Sequence, residues 1–199
     1  MEEFPYISSV PDKKAILRRL SSQKATFPAA LDAEIDALIA KARSAFFAKG
    51  RAKLCSLELD GGDTFRIDGR VIESALLTRM LNSSGSAYLM CATLPRRLVE
   101  GISEYMRSGE ALKALVFDAY ASECVDGALD EIMARKNAAL RRTGQALTHR
   151  RFSAGYGDLD IRCQRVFYEM LDMGALDVQI NEQCLLSPEK SVIAVAGVE

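Results

Sequence analysis

Residues 86–94, Ser-Ala-Tyr-Leu-Met-Cys-Ala-Thr-Leu, form a nearly continuous apolar run, and no other stretch restricts the possible folds as strongly. Its length, with Asn82-Ser83-Ser84-Gly85 before it and Pro95 after it, favours a strand buried on both faces rather than a helix. Such a strand has to be covered from both sides. The helical stretch with the greatest reach, Glu110 to about Arg142, offers a cover: Leu112, Leu115, Val116, Ala119, Tyr120, Val125, Leu129, Ile132, Met133 and Leu140 recur at helical spacing, and Gly144 ends it.

The remaining segments read in order around these two. Residues 1–10 are expected to be an irregular lead-in, followed by a helix from Pro11-Asp12 bearing Ala15, Ile16 and Leu20. A second helix is predicted from Ala30 to Lys49, with Leu31, Ile35, Leu38, Ile39, Ala42 and Phe46 inward and Gly50 as its stop. Strands are expected at 52–59 and 64–67, separated by Asp60-Gly61-Gly62-Asp63 and closed by the turn Asp68-Gly69. Val71, Ile72, Ala75, Leu76 and Met80 suggest a helix, and Pro95 opens another that Gly109 stops. A helix from Ile161 to Met173 and two strands around Ser187-Pro188-Glu189-Lys190 complete the chain. The predicted class is α+β in a single domain, with helices packed around a mixed or antiparallel twisted sheet.

Composition excludes several functions. The 199 residues carry 26 basic and 27 acidic side chains, a net charge of -1, so bulk electrostatics argue for neither a nucleic-acid nor a membrane-surface partner. The five cysteines are spread evenly without CxxC spacing, which fits a reducing cytoplasm and argues against a zinc site. The N-terminus is acidic with no apolar run, so neither a signal peptide nor a membrane span is expected. With one histidine, His149, a multi-histidine metal centre is excluded, and that residue reads as a polar strand position rather than a ligand. No GxSxG, P-loop or GxGxxG element occurs, so no catalytic residue and no resident metal are assigned.

The stretch that suggests chemistry is Arg151-x-x-x-Gly155-Tyr156-Gly157, a glycine-broken turn between an extended segment and a helix. Glycines let a ligand approach the main chain, and a helix just beyond presents unpaired N–H groups. A small anionic or zwitterionic ligand would suit it; a plain chain reversal with a surface or ion-paired arginine is the alternative. Asp126, an acid within the long helix, reads on its own as a solvated residue.

Together with Ala92-Thr93-Leu94 and Pro188-x-x-Ser191-Val192, this turn resembles the activation (reactivation) domain of vitamin B12-dependent methionine synthase, in its stand-alone form, over roughly residues 35–197. The resemblance makes residues 1–34 a divergent N-terminal helical lead-in and 35–199 the activation-domain-like part. It implies an S-adenosylmethionine-binding reactivation subunit of the methionine biosynthesis machinery, an accessory to methyltransferase activity rather than a self-contained enzyme. Such a subunit supports the reductive methylation of cob(II)alamin held by a cobalamin-dependent methionine synthase or similar corrinoid protein, with a flavodoxin-like electron donor. By the same resemblance Arg151 would pair with the methionyl carboxylate, and Ser153 and Ala154 would offer backbone groups. Gly155 would permit close approach, Tyr156 would line the site, and Asp126 would meet the positive part of the ligand from the position of a family glutamate. That shortened acid, the unmatched N-terminal segment and the ending at Glu199 motivate an alternative, a non-catalytic corrinoid-protein docking module.

Overall fold

The apolar run is β5 of a six-stranded sheet, and it is covered on both faces. The computed structural model describes residues 1–20 and 27–199; residues 21–26 of the expected lead-in lie outside them. In chain order the elements are β1 (Glu2–Ile7), α1 (Lys13–Leu20), α2 (Ala29–Ala45), β2 (Ala48–Leu59), β3 (Thr64–Ile67), β4 (Arg70–Glu73), α3 (Ala75–Met80) and β5 (Ser86–Thr93). They continue with α4 (Arg96–Arg107), α5 (Ala111–Leu140), α6 (Cys163–Met170), β6 (Gln179–Ile180), β7 (Leu186–Ser187) and β8 (Ser191–Val198). The sheet runs β4-β3-β2-β5-β8 with β1 on β2, antiparallel throughout, and β6 and β7 form a separate hairpin.

Side chains alternate along β5 and β8, as the period of a strand requires. Met90, Ala92, Ala194 and Ala196 enter a core beneath α1, α2, α4 and α5. Leu89, Cys91, Ile193 and Val195 enter a second core with α3, α6 and the outer strands β3 and β4. The small residues on the first face let α5 lie close to the sheet. The 30-residue α5 buries residues around much of its circumference, which is why its apolar positions exceed a single stripe. Within it Tyr120 is fully buried against Phe46, with ring centroids 5.8 Å apart, and its hydroxyl has no partner among the described residues. Burial pushes that phenol's pKa up to about 12. Removing an unsatisfied buried hydroxyl relieves a desolvation cost. Tyr120→Phe is therefore expected to stabilise the fold by about 1 kcal/mol, a rise in Tm of roughly 2–4 °C; a drop in a thermal melt would mean that the hydroxyl is satisfied.

Several sequence expectations are corrected. Residues 1–10 are not simply irregular, because β1 pairs with β2 and buries Phe4 and Ile7. The register shifts between those two residues, so the period-2 pattern that marks a strand is broken by an irregularity. Glu2 and Glu3 ion-pair with the buried Lys136 and Arg51 and fix the strand. The second helix ends at Ala45 instead of Lys49; Phe46 turns extended, and 48–50 belong to β2, where Gly50 is a strand residue opposite Ala92. Residues 70–73 are strand β4. Asp68 and Gly69, both at positive φ (46° and 74°), close a two-residue hairpin that pairs Ile67 with Arg70 and leaves Val71 exposed. The helix expected at 161–173 is confined to 163–170. At the tail, β8 pairs with β5 rather than folding back on the segment before Pro188. His149 lies exposed in a bend, not in a strand.

Candidate functional site

Residues 146–152 run antiparallel beside β8. Thr148 N–H donates to Gly197 O at 2.8 Å, and Phe152 and Val195 exchange backbone hydrogen bonds of 2.9 and 2.8 Å. The chain then leaves the sheet edge and turns through Ser153–Leu159 before α6. Gly155 (φ 84°) and Gly157 (φ 56°) occupy the left-handed region, where a side chain is strained. A Cβ on Gly157 would stand 2.7 Å from Leu76 Cδ1, so this glycine also permits close contact with α3. Gly155 N–H closes the turn on Leu159 O at 2.8 Å.

Asp158 ties the turn to α3. It accepts from the Ser74 hydroxyl and from Leu76 N–H (3.1 Å), while Ser74 Oγ accepts from Leu77 N–H at 3.0 Å as the helix cap. The Ser74 hydrogen bond, helped by the α3 N–H groups, holds the Asp158 carboxyl below the usual carboxylate range. Ser191 of β8 is anchored by Thr93 of β5 (2.7 Å) and by Pro188 O (2.7 Å), so two of the three sequence segments singled out above meet at one end of the β5–β8 pair, and the third joins β8 farther along, where Phe152 pairs with Val195.

Between the turn, α3, α5 and the start of β8 lies a cleft of about 830 Å³. Five of the sequence-nominated residues, Asp126, Arg151, Ser153, Ala154 and Tyr156, line it; Gly155 is in the turn but not on the wall. Leu76, Met80, Ile161, Val192 and Ile193 make an apolar wall, and Tyr156, 71% exposed, stands at the rim. The N–H groups of Ser153 and Ala154 make no hydrogen bond among the described residues. Both charged candidates have internal partners. Arg151 pairs with Asp130, reaches Met133 Sδ at 3.8 Å and donates to Asp126 O at 3.2 Å; the Asp126 carboxylate pairs with Arg19 at 2.8 Å. A cation, a carboxylate, free N–H donors and an apolar wall within one cleft can take a small ligand that is charged at one end and flat or apolar at the other.

Sequence reasoning did not nominate Leu76 and Met80 of α3, Gln164 of α6, or Arg150 and Asp130. Only Asp130 had a local signal, one turn beyond Asp126 on the same helix face. Among the described residues no cluster of His, Cys, Asp or Glu is placed to hold a metal ion, and no helix is long and apolar enough to cross a membrane.

No protein-family model and no curated protein sequence matches the chain. Among solved structures it is similar to a crystal structure of the MetH reactivation domain bound to AdoHcy, with a TM-score of 0.63 and 12% sequence identity over 84% of this chain. The chain spans 64% of the length of that chain. At this identity the likeness shows a shared α+β fold.

Proposed function

We propose that the cleft binds S-adenosylmethionine and that the chain is a reactivation subunit acting in trans on a cobalamin-dependent methionine synthase or similar corrinoid methyltransferase. The observation that carries this reading is the convergence of Asp126, Arg151, Ser153, Ala154 and Tyr156 on one cleft, in a fold whose solved neighbour is described with AdoHcy bound. The residues suit the ligand. A cleft of about 830 Å³ is within the roughly 300–1,000 Å³ typical of small-molecule sites. Arg151 offers a planar fork for the methionyl carboxylate once it releases Asp130, and Asp126 faces the ammonium or sulfonium. The Ser153 and Ala154 N–H groups are free to donate, and the apolar wall covers the adenine. When bound, S-adenosylmethionine supplies a methyl group on a good leaving group, so the chain's own task is to position it and exclude competing reactions. Tyr156 at the rim faces the side from which a corrinoid partner, and its electron donor, would approach.

Titration calorimetry tests this directly. Arg151→Ala is expected to weaken binding at least tenfold, about 1.4 kcal/mol, and absence of binding to the unaltered chain at millimolar ligand refutes the reading. One observation favours a second reading, a corrinoid-protein docking module indifferent to the ligand: Arg151 and Asp126 are already paired, with Asp130 and Arg19. Capture of a corrinoid protein that is unaffected by S-adenosylmethionine would support it; ligand-dependent capture would exclude it.

A further inference from the structure

The charges around the cleft cancel, with one exception. The Asp126 carboxylate is matched by Arg19 at 2.8 Å. The Arg151 guanidinium is matched by Asp130 and spends a further N–H on a helix carbonyl, Asp126 O. Arg150 lines the same cleft, and its guanidinium makes no hydrogen bond or ion pair among the described residues. Its backbone is held nonetheless. Arg150 O accepts from the buried Thr148 hydroxyl at 2.8 Å, and the Thr148 hydroxyl oxygen accepts from Gly197 N–H at 3.1 Å, so the residue is pinned to the edge of β8 while its side chain is free.

We infer that Arg150 reads the carboxylate of the ligand in this cleft and is the residue that distinguishes amino-acid-bearing adenosyl ligands from those without that group. The inference rests on the adenosyl-ligand reading above and deepens it. A carboxylate approaching Arg151 alone meets the Asp130 carboxylate, already on that guanidinium, and the Asp126 carbonyl dipole; both oppose it. Approaching between the two arginines, it meets in Arg150 a whole fork whose charge is not compensated, and the contact is bidentate without any pair having to break first. Arg151, anchored to α5, then serves as the fixed second side of the grip. The chemistry recognised is that of an α-amino-acid carboxylate carried on a thioether or sulfonium nucleoside. Because Arg150 is exposed in the free chain, the grip depends on ionic strength until the ligand covers it.

The test compares S-adenosylhomocysteine with 5′-methylthioadenosine, which keeps the nucleoside and sulfur but lacks the amino-acid moiety, by calorimetry on the full chain. The unaltered chain is expected to favour S-adenosylhomocysteine by at least tenfold. Arg150→Ala should erase most of that margin while leaving methylthioadenosine affinity within about twofold, and Arg150→Lys should restore part of it. Thermal melting of both variants checks that the fold is kept, which the exposure of the side chain favours. A margin unchanged in Arg150→Ala overturns the inference and leaves the carboxylate to Arg151, with the adenosyl-ligand reading intact. Failure of both probes to bind the unaltered chain overturns that reading itself, and the inference with it.

Discussion

Phe167→Ala is expected to lower the unfolding free energy by about 3–5 kcal/mol, and Tm by roughly 6–20 °C for a chain of this size. Phe167 is the one fully buried side chain of the eight-residue α6, inserted into the second core with Phe65, Leu77 and Leu89. A helix of two turns has little stability of its own and depends on what it buries. Val166 and Met170 pack against the same core only partly buried, and the polar ties are peripheral: Tyr168 Oη donates to Val178 O at 2.9 Å, Gln164 Nε2 to Cys184 O at 2.8 Å and, just past the helix, Arg51 to Leu171 O at 3.2 Å. They cannot refill a void the size of a phenyl ring. Since Ile161 and Gln164 line the cleft, the same substitution should weaken any ligand by loosening that wall. Urea unfolding followed by circular dichroism measures the first effect, the chain having no tryptophan. A loss below about 1 kcal/mol would mean the second core repacks around the gap, since the cost at fixed chemistry depends on how far a site can collapse.

Gly50→Ala has the next largest expected effect, at or above the roughly 1–3 kcal/mol typical of overpacking. Gly50 pairs with Ala92 on one side and Phe4 on the other, on the sheet face beneath α5. A Cβ there would lie 2.6 Å from Cys91 O, 2.8 Å from Ile132 Cδ1 and 3.2 Å from Ile7 Cδ1. The two isoleucine methyls can rotate; the carbonyl is fixed by sheet pairing and cannot. Relief requires either β2 to part from β5 or α5 to lift. Because α5 carries Asp126, Leu129 and Asp130, the second route should be visible as reduced ligand affinity alongside a lower melting temperature. A melt unchanged within 1 °C would show that the sheet yields more readily than this geometry implies.

What the residues reveal by themselves follows a physical division. β5, α4 and α5 are readable because each has an apolar run or helical face bounded by Pro95, Gly109 or Gly144, whose effects on the backbone are local, and β8 is readable from its apolar run 192–198. β1 is not, because the register irregularity between Phe4 and Ile7 removes the alternation. β4 is not, because only Ile72 of its side chains is buried and the exposed Val71 imitates a helix face. For the site, the turn at 151–157 can be read as a place, because glycines and an arginine constrain it locally. The α3 wall, the Asp158 tie to Ser74 and the pairing of Arg151 with Asp130 cannot, since each joins residues distant in the chain through the sheet. Arg150 has no local signal either; its lack of a partner among the described residues is a property of the fold.

The position of β8 sets a sequence of events in time. Thr93 and Ser191, which join across the β5–β8 pair, are 98 positions apart, and β8 is the last element in the order. Until it is in place β5 has β2 as its only pairing partner, both cores lack their Ile193-to-Val198 side chains, and Phe152 has nothing to bridge. Contacts of such high separation make for slow assembly with apolar strand edges exposed meanwhile. During synthesis, then, β5 and the elements before β8 emerge ahead of the strand that completes their sheet, and the cleft comes into being with that strand, too late for a ligand to guide the steps before it.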